Sequence, residues 1–248
     1  MTIFAPMKKS VQLTICSVLA LWVACLTVPA QNRTELEAFQ AAAGARSSIF
    51  RGKQAARYTF PVNGHPYWVQ PAYESGSMIF EGNYYQIDFA NIDACEQRML
   101  VKLQGSPVAV ALSPSQVSSA MLGERHFVGV GPGEGVPEGF YEVFGEGPEQ
   151  VYKHVRKRLD SSVNNVNGTI IGYYDENYRP EVFRHFSYHS SYYFRDAAGQ
   201  FSPIQGRSAL IRKFPDRKRE IRREIRSSLV ERPDYDTFCK LVLHIAAQ

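Results

Sequence analysis

The chain has 248 residues, 44% of them apolar and 21% charged, which is ordinary globular composition and enough to bury one sizeable core or two small ones. Its 14 tyrosines and 15 phenylalanines favour strands over a helical bundle. The formal net charge of +4 does not describe the body, because residues 207–226 alone hold nine basic and three acidic residues.

Lys8 and Lys9 precede an almost uncharged apolar run over 11–28, and Val28-Pro29-Ala30 ends on a small residue. This is the pattern of a secretory signal peptide, so residues 1–30 are expected to be removed and the mature chain to be exported: periplasmic, outer-membrane-associated or secreted. Gln12, Thr14, Ser17 and Thr27 interrupt the run and argue against a retained anchor. The other alternative is lipidation at Cys25, where Trp22 stands in a position that expects a Leu-like residue. Without the leader's two lysines the net charge is about +2, and outside the basic segment it is about −4. Cys95 and Cys239 then remain, either bonded or as two buried thiols, and they are too few for a disulfide scaffold. No later stretch reaches the roughly eighteen apolar residues of a membrane-spanning helix.

In chain order, Thr34-Glu35-Leu36-Glu37 is a capping box, and Leu36, Phe39 and Ala43 follow at helical spacing until Gly44. Strands are expected next over 56–62, 67–70, 77–80, 84–91, 98–103, 108–112, 126–130, 140–144, 151–155, 169–173, 183–194 and 201–204. The hairpin around Gly82-Asn83 is the pattern for the rest, with Tyr85, Ile87 and Phe89 on one face and Tyr84, Gln86 and Asp88 on the other. Residues 113–122 are expected to supply at least one helical turn. The gaps are short and rich in Gly, Pro and Asn, which suits hairpins but not parallel crossovers.

After Gln205 the pattern becomes helical. Ser208 suits the cap of a short helix over 209–213, Pro215 and Asp216 suit the start of a second, and Ile221, Ile225 and Leu229 recur along it. Asp234 suits the cap of a third, with Phe238, Leu241, Val242 and Ile245 as its apolar stripe. These stripes should pack on each other or on the sheet. The fold class is therefore α+β, mainly β. It is an antiparallel meander sheet, sandwich or curved half-barrel, with a short N-terminal helix and two to three C-terminal helices. Three segments follow: a signal peptide (1–30), a β-rich body (31–205) and a helical segment packed on it (206–248).

The run 129–135, Gly-Val-Gly-Pro-Gly-Glu-Gly, has the letters of a dinucleotide loop but leads into a strand, not a helix, so it reads as a loop that could rim a pocket. His185 and His189 share a strand face yet stand roughly 13 Å apart along it, too far for one metal ion. No Gly-x-Ser-x-Gly occurs, and no local signature activates Cys95 or Cys239. Asp88, Asp93, Glu96 and Asp175 are scattered over turns and strand faces. No catalytic residue, metal or cofactor is signalled. The basic segment has three readings: a solvated helix face with pairs such as Asp216–Arg219 and Glu220–Arg223, a surface for anionic lipid or glycan, or, least consistent with export, a nucleic-acid surface.

Tyr192-Tyr193-Phe194-Arg195-Asp196, Gly199-Gln200-Phe201-Ser202-Pro203-Ile204 and the tail Ser208-Ala209-Leu210-Ile211-Arg212-Lys213-Phe214-Pro215-Asp216-Arg217-Lys218 together resemble the C-terminal part of an uncharacterised family of exported proteins in Bacteroidota-type bacteria. The resemblance implies export and a predominantly β fold with a helical tail, and no activity. The expectation is an exported, non-enzymatic envelope protein that binds a ligand or protein partner through its sheet. The alternative is a secreted or periplasmic hydrolase acting on glycan or peptide. Tyr84, Gln86 and Asp88 on the sheet, and Arg217, Lys218, Arg222 and Arg223 on the basic helix, are the candidate binding residues. The partner is an envelope protein or an anionic lipid or glycan surface.

Overall fold

Aromatic and β-branched runs separated by glycine turns fold here into a single antiparallel sheet. The computed structural model describes residues 44, 47–56, 58–163, 182–228 and 233–248. The expected leader, the helix expected over 34–43 and the strand expected over 169–173 lie outside the described residues. The chain divides into Met1–Ser47 and Ser48–Gln248. In the first unit the amide of Ser47 donates to the carbonyl of Gly44 (3.0 Å). The second holds all the elements below.

The strands are β1 (Lys53–Gln54), β2 (Glu74–Phe80), β3 (Asn83–Asp93), β4 (Arg98–Lys102), β5 (Val110–Leu112), β6 (Val117–Leu122), β7 (Arg125–Val130), β8 (Gly139–Phe144), β9 (Gln150–Val163), β10 (Val182–Arg195) and β11 (Phe201–Ile204). Their order is β1-β5-β4-β3-β2-β6-β7-β8-β9-β10-β11, two meanders joined where β6 pairs with β2. There is one sheet, not two stacked ones, and the chain itself forces it to curl. In a flat sheet β5 and β6 would lie about 19 Å apart, four strand spacings. Only residues 113–116 connect them, and Pro114–Gln116 are wound into a 3₁₀ turn that shortens their reach. The two arms of the curl are tied by backbone. Lys157 N of β9 donates to Ala94 O in the β3–β4 turn (2.9 Å), and Asn63 exchanges hydrogen bonds with Arg184 O and Phe186 N of β10.

Gln97 in the same turn completes this closure. The ladder between β8 and β9 runs from Phe144↔Val151 to Tyr141↔His154, so the next rung would join Phe140 to Val155. The Gln97 side chain supplies that rung: its Oε1 accepts from Phe140 N (3.1 Å) and its Nε2 donates to Val155 O (2.9 Å) and Ala94 O (2.8 Å).

The curl encloses a core of Ile49, Trp68, Met78, Phe80, Tyr85, Ile87, Ile92, Met99, Phe127, Phe140 and Val155, among others. A second cluster holds the tail helices α1 (Arg207–Ile211), α2 (Lys218–Ser228) and α3 (Tyr235–Ala247). Phe144, Val151 and Phe194 of the sheet meet Leu210, Ile211, Phe214, Ile221, Phe238 and Val242 there. The tail residues Leu210, Ile211 and Phe214 are thus its docking side, Phe214 edge-on to Phe194 at 5.5 Å. Asp234 caps α3 as expected, accepting from Thr237 N (2.8 Å).

Several expectations are corrected. The helical turn expected within 113–122 is present but confined to the 3₁₀ turn Pro114–Gln116; residues 117–122 form strand β6, because Val117, Ala120 and Leu122 bury against β2 and β7. Among the described residues, 56, 58–62 and 67–70 form no strand, and Asn63 and Tyr67 make only isolated bridges to His185 and Asp93. Phe89 does not continue the Tyr85–Ile87 face. An extra residue in β3 opposite Glu74–Gly76 shifts the register, so Ala90 and Ile92 take the core side. Helix α1 begins at Arg207 behind Gly206, whose φ of 82° suits glycine, and it has no side-chain cap. Pro215 and Asp216 precede α2 without entering it.

Candidate binding groove under the glycine-rich loop

Strand alternation gives β7–β11 a second face, opposite Phe127 and Phe140. Val130, Tyr141, Val143 and Tyr152 are buried on it, and Val128, Val136, Tyr193 and Phe201 pack around them. The rings are fitted together: Tyr141 stacks on His154 at 4.7 Å, and Tyr152 meets Phe201 edge-on at 4.9 Å. Burial raises the phenol pKa of Tyr152, an effect opposed by the charge and hydrogen bond of Arg195.

The glycine-rich loop between β7 and β8 folds over the edge of this face. Gly133 and Gly135 have φ of 89° and 81°, which lets the backbone reverse twice in three residues. Tyr141 Oη donates to Pro137 O (2.5 Å), Val136 packs on the ring cluster, and Gly131 N donates to Glu134 Oε1 (3.3 Å). The result is a groove of about 420 Å³ with Val128, Val130, Tyr152 and Phe201 along it and Ser118, Glu134 and Arg195 as polar groups. An apolar floor with a few convergent donors and acceptors is the general form of a small-ligand site.

Two further polar groupings came from pairing rather than from any local motif. Inside the curl, Lys153 of β9 pairs with Asp236 of α3, lies 3.9 Å from Glu142 Oε2, and Tyr192 Oη donates to Asp236 Oδ1 (2.7 Å). Burial raises the carboxyl pKa of Glu142, against the pull of Lys153. At the other end of β7, Ser119 Oγ lies 3.0 Å from His126 Nε2 beside a depression of about 430 Å³ that also takes in Glu124, Glu142 and Glu146. Burial lowers the pKa of His126, so its imidazole is neutral near pH 7. Reading 117–122 as a strand would have exposed this pair: the Gly123-Glu124 turn sets Met121 opposite His126, and Ser119 is the next residue on that face.

The residues expected from sequence lie elsewhere. Tyr84 Oη donates to Gln86 Oε1 (3.0 Å) on β3, and Gln86 and Asp88 are exposed beside the buried Tyr85 and Ile87. Arg217 Nε donates to Glu220 Oε2 (2.8 Å) ahead of α2. Lys218, Arg222 and Arg223 are on α2, the last two exposed. Among the described residues no ion pair joins Asp216 to Arg219 or Glu220 to Arg223, since Arg217 takes the Glu220 carboxylate. None of these residues lines the groove. His185 and His189 sit on one side of β10, and Cys95 and Cys239 are free thiols, with burial pushing Cys239 up to about 12. Among the described residues no cluster of His, Cys, Asp and Glu could hold a metal ion, and no helix is long and apolar enough to cross a membrane. Compared with known protein families, curated proteins and solved structures, the chain finds no match.

Proposed function

We propose that this chain is an exported, non-enzymatic envelope protein that holds a small polar ligand on its sheet, in the groove under the glycine-rich loop. The observation that carries the reading is the combination of an aromatic floor, Tyr152 and Phe201, with Arg195 and Glu134 beside it under a loop tied to Tyr141 at Pro137. A saccharide suits that chemistry: the partly exposed Phe201 ring takes its C–H side, and a cation and a carboxylate take its hydroxyls. The expected leader and the tail resemblance support the envelope setting. Calorimetric titration with neutral and acidic oligosaccharides tests it. Saturable binding that Arg195→Ala and Phe201→Ala each abolish is expected. Binding that both variants retain rejects the groove, and no heat with any sugar rejects the ligand class.

A second reading, a hydrolase, rests on Ser119 and His126. The 3.0 Å contact suits proton transfer from a serine to a neutral imidazole. Against it, both residues lie on paired strands, whose amides are engaged in ladders and not aimed at a developing oxyanion. Labelling by a fluorophosphonate that Ser119→Ala abolishes would favour this reading over the first.

A further inference from the structure

We propose that the exposed face of α2 is a docking surface for the phosphates of anionic lipid headgroups, separate from the groove. Arg219, Arg222, Arg223 and Arg226 are spaced i, i+3, i+4 and i+7, so they form one stripe about 10 Å long. All four are exposed and line an open depression. Ile221 is fully buried on the opposite side, and Ile225 packs with it against the tail cluster. Glu220 and Glu224 fall on the helix flank, and Glu220 is taken by Arg217 from outside the stripe.

The burial pattern selects the mode of binding. An amphipathic helix that enters a membrane offers its apolar side to lipid. Here that side is in the protein core, so α2 can meet a bilayer only through its guanidinium groups, at headgroup depth. Arginine suits this because its planar donor fork matches a phosphate. Residues 218–228 include no aromatic side chain on which a base could stack, which disfavours single-stranded nucleic acid. The expected export route carries the chain to a compartment bounded by phospholipid, where such headgroups are abundant. A straight stripe on a convex helix also suits a flat array of phosphates.

Co-sedimentation of the exported chain with vesicles tests this. Retention on phosphatidylglycerol-containing vesicles, absent on pure phosphatidylcholine and falling as salt rises, is expected. Each Arg→Gln change in the stripe should weaken retention about fivefold, and R219Q/R222Q/R223Q/R226Q should abolish it while the urea midpoint stays in place. Arg195→Ala in the groove should leave it unchanged, so the two sites fail or stand independently. Equal retention on both vesicle types, or a quadruple variant that binds like the parent, would overturn the proposal. So would heparin or an oligonucleotide binding at salt concentrations that already release the vesicles.

Discussion

Lys153 and Tyr192 hold the same carboxylate. Asp236 Oδ2 pairs with the Lys153 ammonium and Oδ1 accepts from the Tyr192 hydroxyl, so two neighbouring strands grip the first turn of α3. The Lys153 side chain is only 11% exposed. Burial alone would lower its pKa, but the hydrogen bond and charge of Asp236 outweigh this and raise it. The tail is thus held by an apolar cluster with one charged pin through it. A misplaced helix would leave a buried ammonium beside Glu142, so the pin fixes where α3 docks.

Asp236→Asn is expected to cost about 2–3 kcal/mol, since the amide keeps the bond from Tyr192 but leaves the buried Lys153 charge only its longer 3.9 Å contact with Glu142. Lys153→Met should cost at least as much, because Glu142 and Asp236 then face one another without the cation. Combining Lys153→Met with Asp236→Asn should cost less than the two single changes added together. Urea unfolding gives the energies, and hydrogen exchange over 235–247 shows whether α3 loosens first. Additive losses would mean that the pin does not couple sheet to helix.

Gln97→Ala removes the rung between β8 and β9 and leaves Phe140 N and Val155 O unpaired in a buried strip. A loss of about 2–3 kcal/mol follows from two stranded backbone groups. Gln97→Glu should be worse, since a carboxylate cannot donate to Val155 O or Ala94 O. Equilibrium unfolding of the two variants gives the ranking. If Gln97→Glu is the milder change, the amide is not acting as a rung.

Much of the sheet is legible in the sequence because hairpins are local. The first hairpin is set locally, although its turn is Glu81-Gly82, both at positive φ, with Asn83 already paired to Phe80 rather than in the turn as the Gly82-Asn83 reading expects. Tyr85 and Ile87 specify their own face. The errors arose where the deciding contact is remote. Phe89 leaves the core because of a bulge opposite Glu74, which no alternation within β3 reveals. The turn expected over 113–122 stops at Gln116, where β6 begins, because Gly129 lets this segment approach β7: a Cβ at Gly129 would come within 2.0 Å of Pro114 O. The groove was half legible, since the glycine run reads as a pocket rim. The residues beneath it, Tyr152, Arg195 and Phe201, belong to three strands whose adjacency exists only in the folded sheet. Gln97, Lys153 and Asp236 carry no local signature at all.

The fold should weaken as pH falls from about 6.5 to about 4. Burial, then the charges of Arg156 and His189, lower the His154 pKa to about 4. Gln97 Oε1 can only accept, so neutral His154 donates to it from Nε2 (3.1 Å). A base with a depressed folded pKa binds fewer protons folded than unfolded. Its contribution is therefore complete above the unfolded pKa and lost as pH drops toward the folded one, about 3 kcal/mol in all. His65 and His126 are shifted the same way by burial and add to the slope. Unfolding free energies measured from pH 7 to pH 4 should show the decline, and His154→Gln should flatten it by the largest single share. An unchanged slope in that variant would remove His154 as its main source.

Gly76→Ala tests the joint between the two meanders. Gly76 pairs with Ile87 on one side and Leu122 on the other, at the centre of β3-β2-β6. A Cβ built there would lie 1.8 Å from Met121 O and 2.9 Å from its carbonyl carbon, so the ladder must open to admit it. The atoms it meets are all backbone of β6, which cannot rotate away as a side chain could. The substitution is expected to cost more than about 3 kcal/mol, large against the whole stability of a domain this size. Gly147→Ala, with nothing within 4 Å of its Cβ, serves as the comparison and should be close to neutral. Soluble yield and thermal unfolding of the pair decide the matter. A Gly76→Ala protein as stable as its Gly147→Ala counterpart would mean that β2 and β6 are not paired at this register.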